Sequence, residues 1–350
     1  MSCNNGRGAI IMYEPTTSTW GTAVAPGTTD LILAESFGPL IDPADIIPDP
    51  SAGYAWHEYI DRGKKNVTPE LVIPMRFSGR LWTLVAQLMG LDTISGASDP
   101  YTHTMTLLDC IGGSDKFGTA GAEIGGSLIH EWPSVKPVGF TISGPDGNGY
   151  MSLVVRTICD TVNLGSDATI VAGDFDAATH IALSTVLPPI IPFGVTQFKI
   201  NDQSGAAVTA ETAIDIKSIE FTFNRGFSGE FVSRGVVANQ WESAEPKEDG
   251  IPEQTLKIEL ADYDSLTYFE NYQDKTTKKA QLYWQLTSNH NLTLELPALH
   301  PVVPEGAISG PSRMPQVLNY QCKKALENPT GMAFALWQIV LKDGHDTAYE

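Results

Sequence analysis

Two His-Glu dipeptides, His57-Glu58 and His130-Glu131, are the nearest approach in this chain to hydrolytic metal chemistry. A zinc hydrolase of that type needs a second histidine four positions on, so that two imidazoles share one helix face while the glutamate activates the bound water. Asp61 and Ser134 occupy those positions instead, and the histidines read as satisfied or exposed rather than as ligands. Asp167, Asp174 and Asp176 suggest calcium by composition, but the segment lacks the turn glycine and the closing glutamate of an EF-hand. Residues 112–119, GGSDKFGT, have the wrong glycine spacing before Lys116 for a phosphate loop, and read as a connector. No G-x-S-x-G elbow occurs, and the seven histidines name no nucleophile partner. The expectation is a protein that is not an enzyme and uses no cofactor or metal.

The elements around these residues are mostly strands. YTHTMTLLD, residues 101–109, alternates as a strand with one solvated face. Residues 135–162 read as two strands around the turn Pro145-Asp146-Gly147-Asn148-Gly149, the strongest hairpin signal in the chain. FKINDQSG adds a strand, and residues 216–233 read as a strand pair around Gly226 and Gly229. KAQLYWQLTSNHNLTLELPALH gives two strands turned at residues 288–291, and a last strand is expected over residues 332–341. LILAESFGPLI, from Leu31, is the first strand expected. Before it, a Thr-, Gly-, Ser- and Pro-rich stretch reads as an extended arm rather than a core element, and residues 42–53, with three prolines, read as a loop or irregular edge.

Two segments repeat one pattern. Residues 70–90, ELVIPMRFSGRLWTLVAQLMG, and residues 254–275, QTLKIELADYDSLTYFENYQDK, each run from a β-rich stretch through a serine into an amphipathic stretch of about three turns. Ser78 and Ser265 are the expected N-caps. An offset of 185 superposes Leu71 on Leu256, Leu81 on Leu266 and Leu84 on Phe269. Leu81, Leu84, Leu88, Leu266 and Phe269 are therefore the expected helix-core residues, and Tyr268 and Tyr272 are also read as core. The predicted organisation is an arm over residues 1–30, a first domain over 31–175, a linker over 176–195 and a second domain over 196–345. The fold class is mainly β (α+β): two tandem barrels or sandwiches, each flanked by one helix.

The 350 residues carry 22 Lys and Arg against 41 Asp and Glu, and the -19 balance divides almost evenly, -10 and -9, at residue 175. Spread over a surface, that charge argues against a groove that grips nucleic acid. The four cysteines form no CxxC pair, and no apolar run of about 18 residues occurs; a soluble, unexported product is expected.

In the order of its strand and helix units, in the LWTLVAQLMGL helix and in the YTHTM strand, the chain resembles the tail tube proteins of long-tailed phages, in their duplicated-domain form. The resemblance implies long hairpins joining a shared inner barrel, trimeric pseudo-hexameric rings that stack, with rings of six chains whose second half is external decoration as the alternative, and an N-terminal arm and proline-rich loop reaching the adjacent ring. It also implies a virion tail location after assembly in the host cytoplasm, and contact with tape measure, tail terminator and tail-tip proteins. DNA would pass transiently through a negatively charged lumen during ejection, without specific binding and with no membrane involved. Asp146, Glu220 and Glu230 are the lumen-facing acidic candidates. The alternative is a tail or capsid decoration module or a carbohydrate-binding β-sandwich.

Overall fold

A computed structural model describes residues 10–15, 19–39, 44–48, 60–65, 67–108, 116–124, 128–176, 188–229, 231, 243–261, 266–303 and 316–349. The first half contains β1 (Ile10–Glu14), β2 (Leu31–Ile32), β3 (Ser36–Gly38), β4 (Ala44–Pro48), β5 (Ile60–Lys65) and β6 (Glu70–Pro74). These lead into α1 (Leu81–Met89), followed by β7 (Gly90–Ser95), β8 (Tyr101–Leu107), β9 (Gly118–Ile124), β10 (Leu128–Gly144), β11 (Ser152–Cys159), β12 (Asn163–Leu164) and the short α2 (Ala172–Asp176). The second half has β13 (Thr196–Asp202), β14 (Ile216–Asn224), β15 (Phe227–Ser228), β16 (Lys247–Glu248) and β17 (Glu253–Leu260). After α3 (Thr267–Gln273) come β18 (Lys278–Thr287), β19 (His290–Pro301), β20 (Gln316–Cys322) and β21 (Gln338–Asp343).

The protein is mainly β, and its strands form one large antiparallel sheet plus two short ribbons. One stretch of that sheet runs β3–β6–β11–β10–β14–β17–β20. A second runs β7–β8–β21–β19–β18–β13. Strand β10 is long enough, at 17 residues, to change partners along its length: β9 pairs with its first part, and β14 continues that edge from Gly139 to Gly144. The ladders β10–β14 and β8–β21 therefore bind strands of the first half to strands of the second, and one core cluster draws residues from both.

The packing centres on α1. All nine of its residues are buried, Leu81, Leu84 and Leu88 among them, and of its two polar residues Gln87 accepts from the Tyr13 hydroxyl, so no side of the helix faces water, as in a core helix. Its N-cap is Arg80, with no side-chain cap; Ser78 is buried two residues earlier and meets the Tyr349 hydroxyl at 3.3 Å. Gly79, at φ 118°, makes the turn that displaces the serine from the capping position. At the other end the guanidinium of Arg225, itself fully buried, donates to the carbonyls of Leu88 (3.1 Å), Met89 (3.4 Å) and Leu108 (2.8 Å) and pairs with Glu248.

Several expectations change. Ile10–Glu14 is a sheet strand against β9, because Ile11 and Tyr13 enter the main core while Met12 packs with Ile170 and Phe175 in a second cluster; it is not an arm. Part of the expected proline-rich loop, Ala44–Pro48, pairs with Ile60–Lys65 as a ribbon. The pair expected within residues 216–233 does not form: β14 lies between β10 and β17, and Phe227–Ser228 pairs with Lys247–Glu248. Helix α3 begins one residue after Leu266, which is 64 % exposed, and buries none of its residues; Tyr272 is exposed too. Its tight seven-residue span lies on the outside of the sheet, where Tyr268 alone among its aromatics packs against the core. Ser265 lies outside the described residues.

Leu84→Ala should cost about 2–5 kcal/mol, since a buried leucine leaves a cavity, and Arg225→Ala about 3–5 kcal/mol, since Glu248 and the α1 carbonyls lose a buried charged partner. Urea unfolding of each variant checks both; an Arg225→Ala midpoint equal to that of the parent would show that the helix end is satisfied without it.

Candidate functional site

Alternation along β8 places His103, Met105 and Leu107 on the buried face, and a histidine there must find polar partners. Its Nδ1 lies 2.9 Å from Asp92 Oδ2 on the neighbouring β7, and its Nε2 donates to the carbonyl of His345 at 3.0 Å with Asp343 Oδ1 at 3.4 Å. Tyr349 closes the cluster: its N–H donates to Asp92 Oδ2 at 2.9 Å and its hydroxyl to Asp343 Oδ2 at 2.5 Å. Burial by itself lowers the imidazole pKa, but the hydrogen bonds and charges of Asp343 and Asp92 outweigh it and raise the pKa to about 10. His103 is thus a buried imidazolium between two carboxylates. Burial also pushes the Tyr349 phenol well up.

That cluster has the residue types of an acid–base relay and the geometry of a clasp. His103 is 0 % exposed with both ring nitrogens committed, so no substrate atom can reach it. What it does is fasten residues 343–349 over β7, β8 and the start of α1.

The residues singled out for chemistry are dispersed. Glu131 is fully buried and accepts from Asn163 Nδ2 (2.9 Å), Thr169 N (2.6 Å) and Ile170 N (2.9 Å), which makes it the organiser of the loop after β12. Ser134 Oγ accepts from Gly21 N at 2.8 Å. Asp174 caps α2 by accepting from Val171 N. Among the described residues no group of three His, Cys, Asp or Glu side chains is arranged to hold a metal. His57, Glu58 and residues 112–115 lie outside the described residues. A hollow of about 360 Å³ between β13, α3 and β18 is lined by Asn201, Asp202, Tyr268 and Lys278, but the lysine is engaged by Asp202.

A continuous six-stranded surface is the outward side of β6–β11–β10–β14–β17–β20. Inward, Ile142, Leu153, Phe221, Leu256 and Leu318 are buried; outward, a register row runs Val72, Val154, Thr141, Thr222, Thr255, Gln321. Thr141 and Thr222 hydroxyls lie 3.1 Å apart. In the outward row on one side of it Glu220 stands opposite Lys257, and in the outward row on its other side Glu70 stands opposite Arg156. Arg156 lies over Gly139, where an added Cβ would come within 2.7 Å of the Phe223 carbonyl oxygen and 3.0 Å of Arg156 Nη2.

Of the acidic candidates, Glu220 is exposed on this face and Asp146 sits at its rim, where its Oδ1 accepts from the N–H groups of Asn148 and Tyr150, both at 2.8 Å. Glu230 lies outside the described residues. Sequence reasoning missed the clasp and Arg225; the one available signal was a histidine on the apolar face of the YTHTM strand. Among the described residues no helix is long and apolar enough to cross a membrane. No protein-family model matches the chain, and no curated protein matches it.

The clasp carries a pH signature. The folded His103 pKa, about 10, stands above the unfolded value of about 6.5, so its contribution is complete below pH ~6.5 and declines as pH rises through about 10. The stability difference between the parent and His103→Gln, read from urea midpoints at pH 6, 8 and 10, should shrink with each step, by on the order of 1 kcal/mol per pH unit. A constant difference would mean that the imidazole is neutral in the folded protein.

Proposed function

We propose that this chain is the structural subunit of a phage tail tube, assembling with copies of itself into stacked rings around a bore that conducts DNA. The observation that carries the reading is the sheet β3–β6–β11–β10–β14–β17–β20, which crosses both halves of the chain, buries one face and leaves hydrogen-bonding edges at its ends. Among the described residues β3 has β6 as its strand partner on one side only, and the far side of β20 pairs with Leu299–Pro301 over Tyr320–Cys322, with the Val302 N–H donating to the Asn319 carbonyl at 2.8 Å beyond that ladder. Open edges of a long sheet invite pairing with another chain, and in a closed ring each edge is consumed by the next copy.

Ring size follows from strand spacing. Three seven-stranded sheets at about 4.8 Å per strand, tilted by 35–45° as closed sheets are, enclose a backbone bore about 40 Å across, wide enough for a DNA duplex once inward side chains are allowed for. Six copies would double the width to no purpose, so the ring is trimeric and pseudo-hexameric. The 185-residue offset supports the same symmetry: it carries β3 onto β14, β6 onto β17 and α1 onto α3. The β3–β6 ladder, with Ser36 opposite Val72, then corresponds to β14–β17, with Phe221 opposite Leu256, one residue out of register. The tandem tube domains share a core in this reading. Tape measure, terminator and tail-tip proteins are the partners it requires, and the virion tail is its location.

Negative-stain electron microscopy of the purified protein over a concentration series tests the proposal. End-on averages should show hollow rings or tubes with three-fold or pseudo-six-fold symmetry. Compact single particles at every concentration would favour a decoration or carbohydrate-binding module.

A further inference from the structure

We propose that the outward face of β6–β11–β10–β14–β17–β20 is the wall of the bore, and that this wall is near-neutral and hydroxyl-lined rather than carboxylate-lined. The inference rests on the tube reading above. The whole chain carries -19, yet the three central register rows of this face hold only three carboxylates, Glu70, Glu220 and Glu253, against the two cations Arg156 and Lys257. Glu259, in a further row, is held by Lys217 at 2.5 Å. The acid excess therefore lies on other surfaces, and the middle row of the face, from Val72 to Gln321, has no charge at all.

The occupant argued for is duplex DNA in transit. Each fixed cation facing DNA releases a counterion and adds to retention, and stacked rings multiply any net charge per copy by the number of copies. A wall one charge from neutral keeps that product small in either direction. It neither holds the phosphates nor taxes their entry, and threonine hydroxyls keep the wall wetted. Placing each cation opposite a carboxylate, as at Glu220 and Lys257 or Glu70 and Arg156, confines its field to a range shorter than the screening length of about 8 Å at physiological salt.

Thr222→Cys, at the centre of the uncharged row and half-buried, tests placement and charge together. Assembled tubes should react with a small maleimide and exclude a maleimide carried on a large polymer, whereas unassembled protein should react with both, each read above the parent's background. Equal labelling of tubes by the polymer reagent, or protection from both reagents, would place the face on the exterior or in an interface and overturn the assignment. Failure of the parent to form tubes at all would instead remove the proposed function. Tubes already assembled from the Thr222→Cys variant are then modified at the introduced thiol with a trimethylammonium thiosulfonate or a neutral analogue and mixed with short duplex DNA. Unmodified and neutral tubes should retain no DNA above background at 50 mM salt, and cationic tubes about tenfold more, released by 200 mM salt. Retention by unmodified tubes, or no gain on adding the cation, would show that the wall is not neutral or does not meet DNA.

Discussion

A helix with every residue buried has no water to satisfy the carbonyls at its end, and that constraint organises the structure around α1. The Gly90 N–H answers the Ala86 carbonyl, Leu108 N–H answers Met89, and the Arg225 guanidinium takes Leu88 together with Met89 and Leu108. The cation also sits where the helix dipole favours positive charge. Because Arg225 follows directly on β14, the polar end of a first-half helix is completed by the second half. Neither half satisfies its own core, and the β10–β14 ladder places the arginine where it is needed.

The other end of α1 is closed from the C-terminal side. Tyr349, fully buried, reaches Ser78 just before the helix, and the imidazolium of His103 holds the same segment through Asp343 and the His345 carbonyl. A buried ion cluster of this kind adds little net stability over an apolar filling, because the desolvation of three charges offsets much of their attraction. What it supplies is position: His103, with one ring nitrogen facing Asp92 and the other the His345 carbonyl, accepts one seating of the tail, and β21 is thereby fixed between β8 and β19.

How much of this could be read from the chain depends on whether the signal was local. Strands β8, β10, β11, β18 and β19 carry period-two alternation or turn residues within a few positions, and their presence was legible. The N-terminal strand was not, because five residues, IIMYE, are embedded in arm-like composition and gain their stability from β9, more than 100 residues away. Helix α3 misled through its repeat: Leu266 matches a buried leucine of α1 at the same offset, yet lies one residue outside its own helix and in solvent. The clasp joins residues 92, 103, 343 and 349, and only the histidine on an apolar face hinted at it. Arg225 stands beside Gly226 of the turn expected within residues 216–233, and nothing local marks it as the partner of a helix end more than 130 residues away.

The two halves differ in a way that the sheet geometry explains. Strands β3 and β6, and the strands β14 and β17 that the 185-residue offset sets against them, keep nearly the same pairing, while α1 is wholly buried and α3 buries nothing. A ring that closes through strand edges demands equivalence only from the strands, since a change in ladder geometry at any junction propagates around the circle. Helices packed behind the sheet are under no such demand. One is free to become the shared core, with its ends tied by Arg225 and the C-terminal clasp, and the other to become surface. Asymmetry behind the sheet is therefore compatible with the pseudo-symmetry proposed along it, and the one-residue register difference between the two ladders is the part of that asymmetry that the proposed ring would have to absorb.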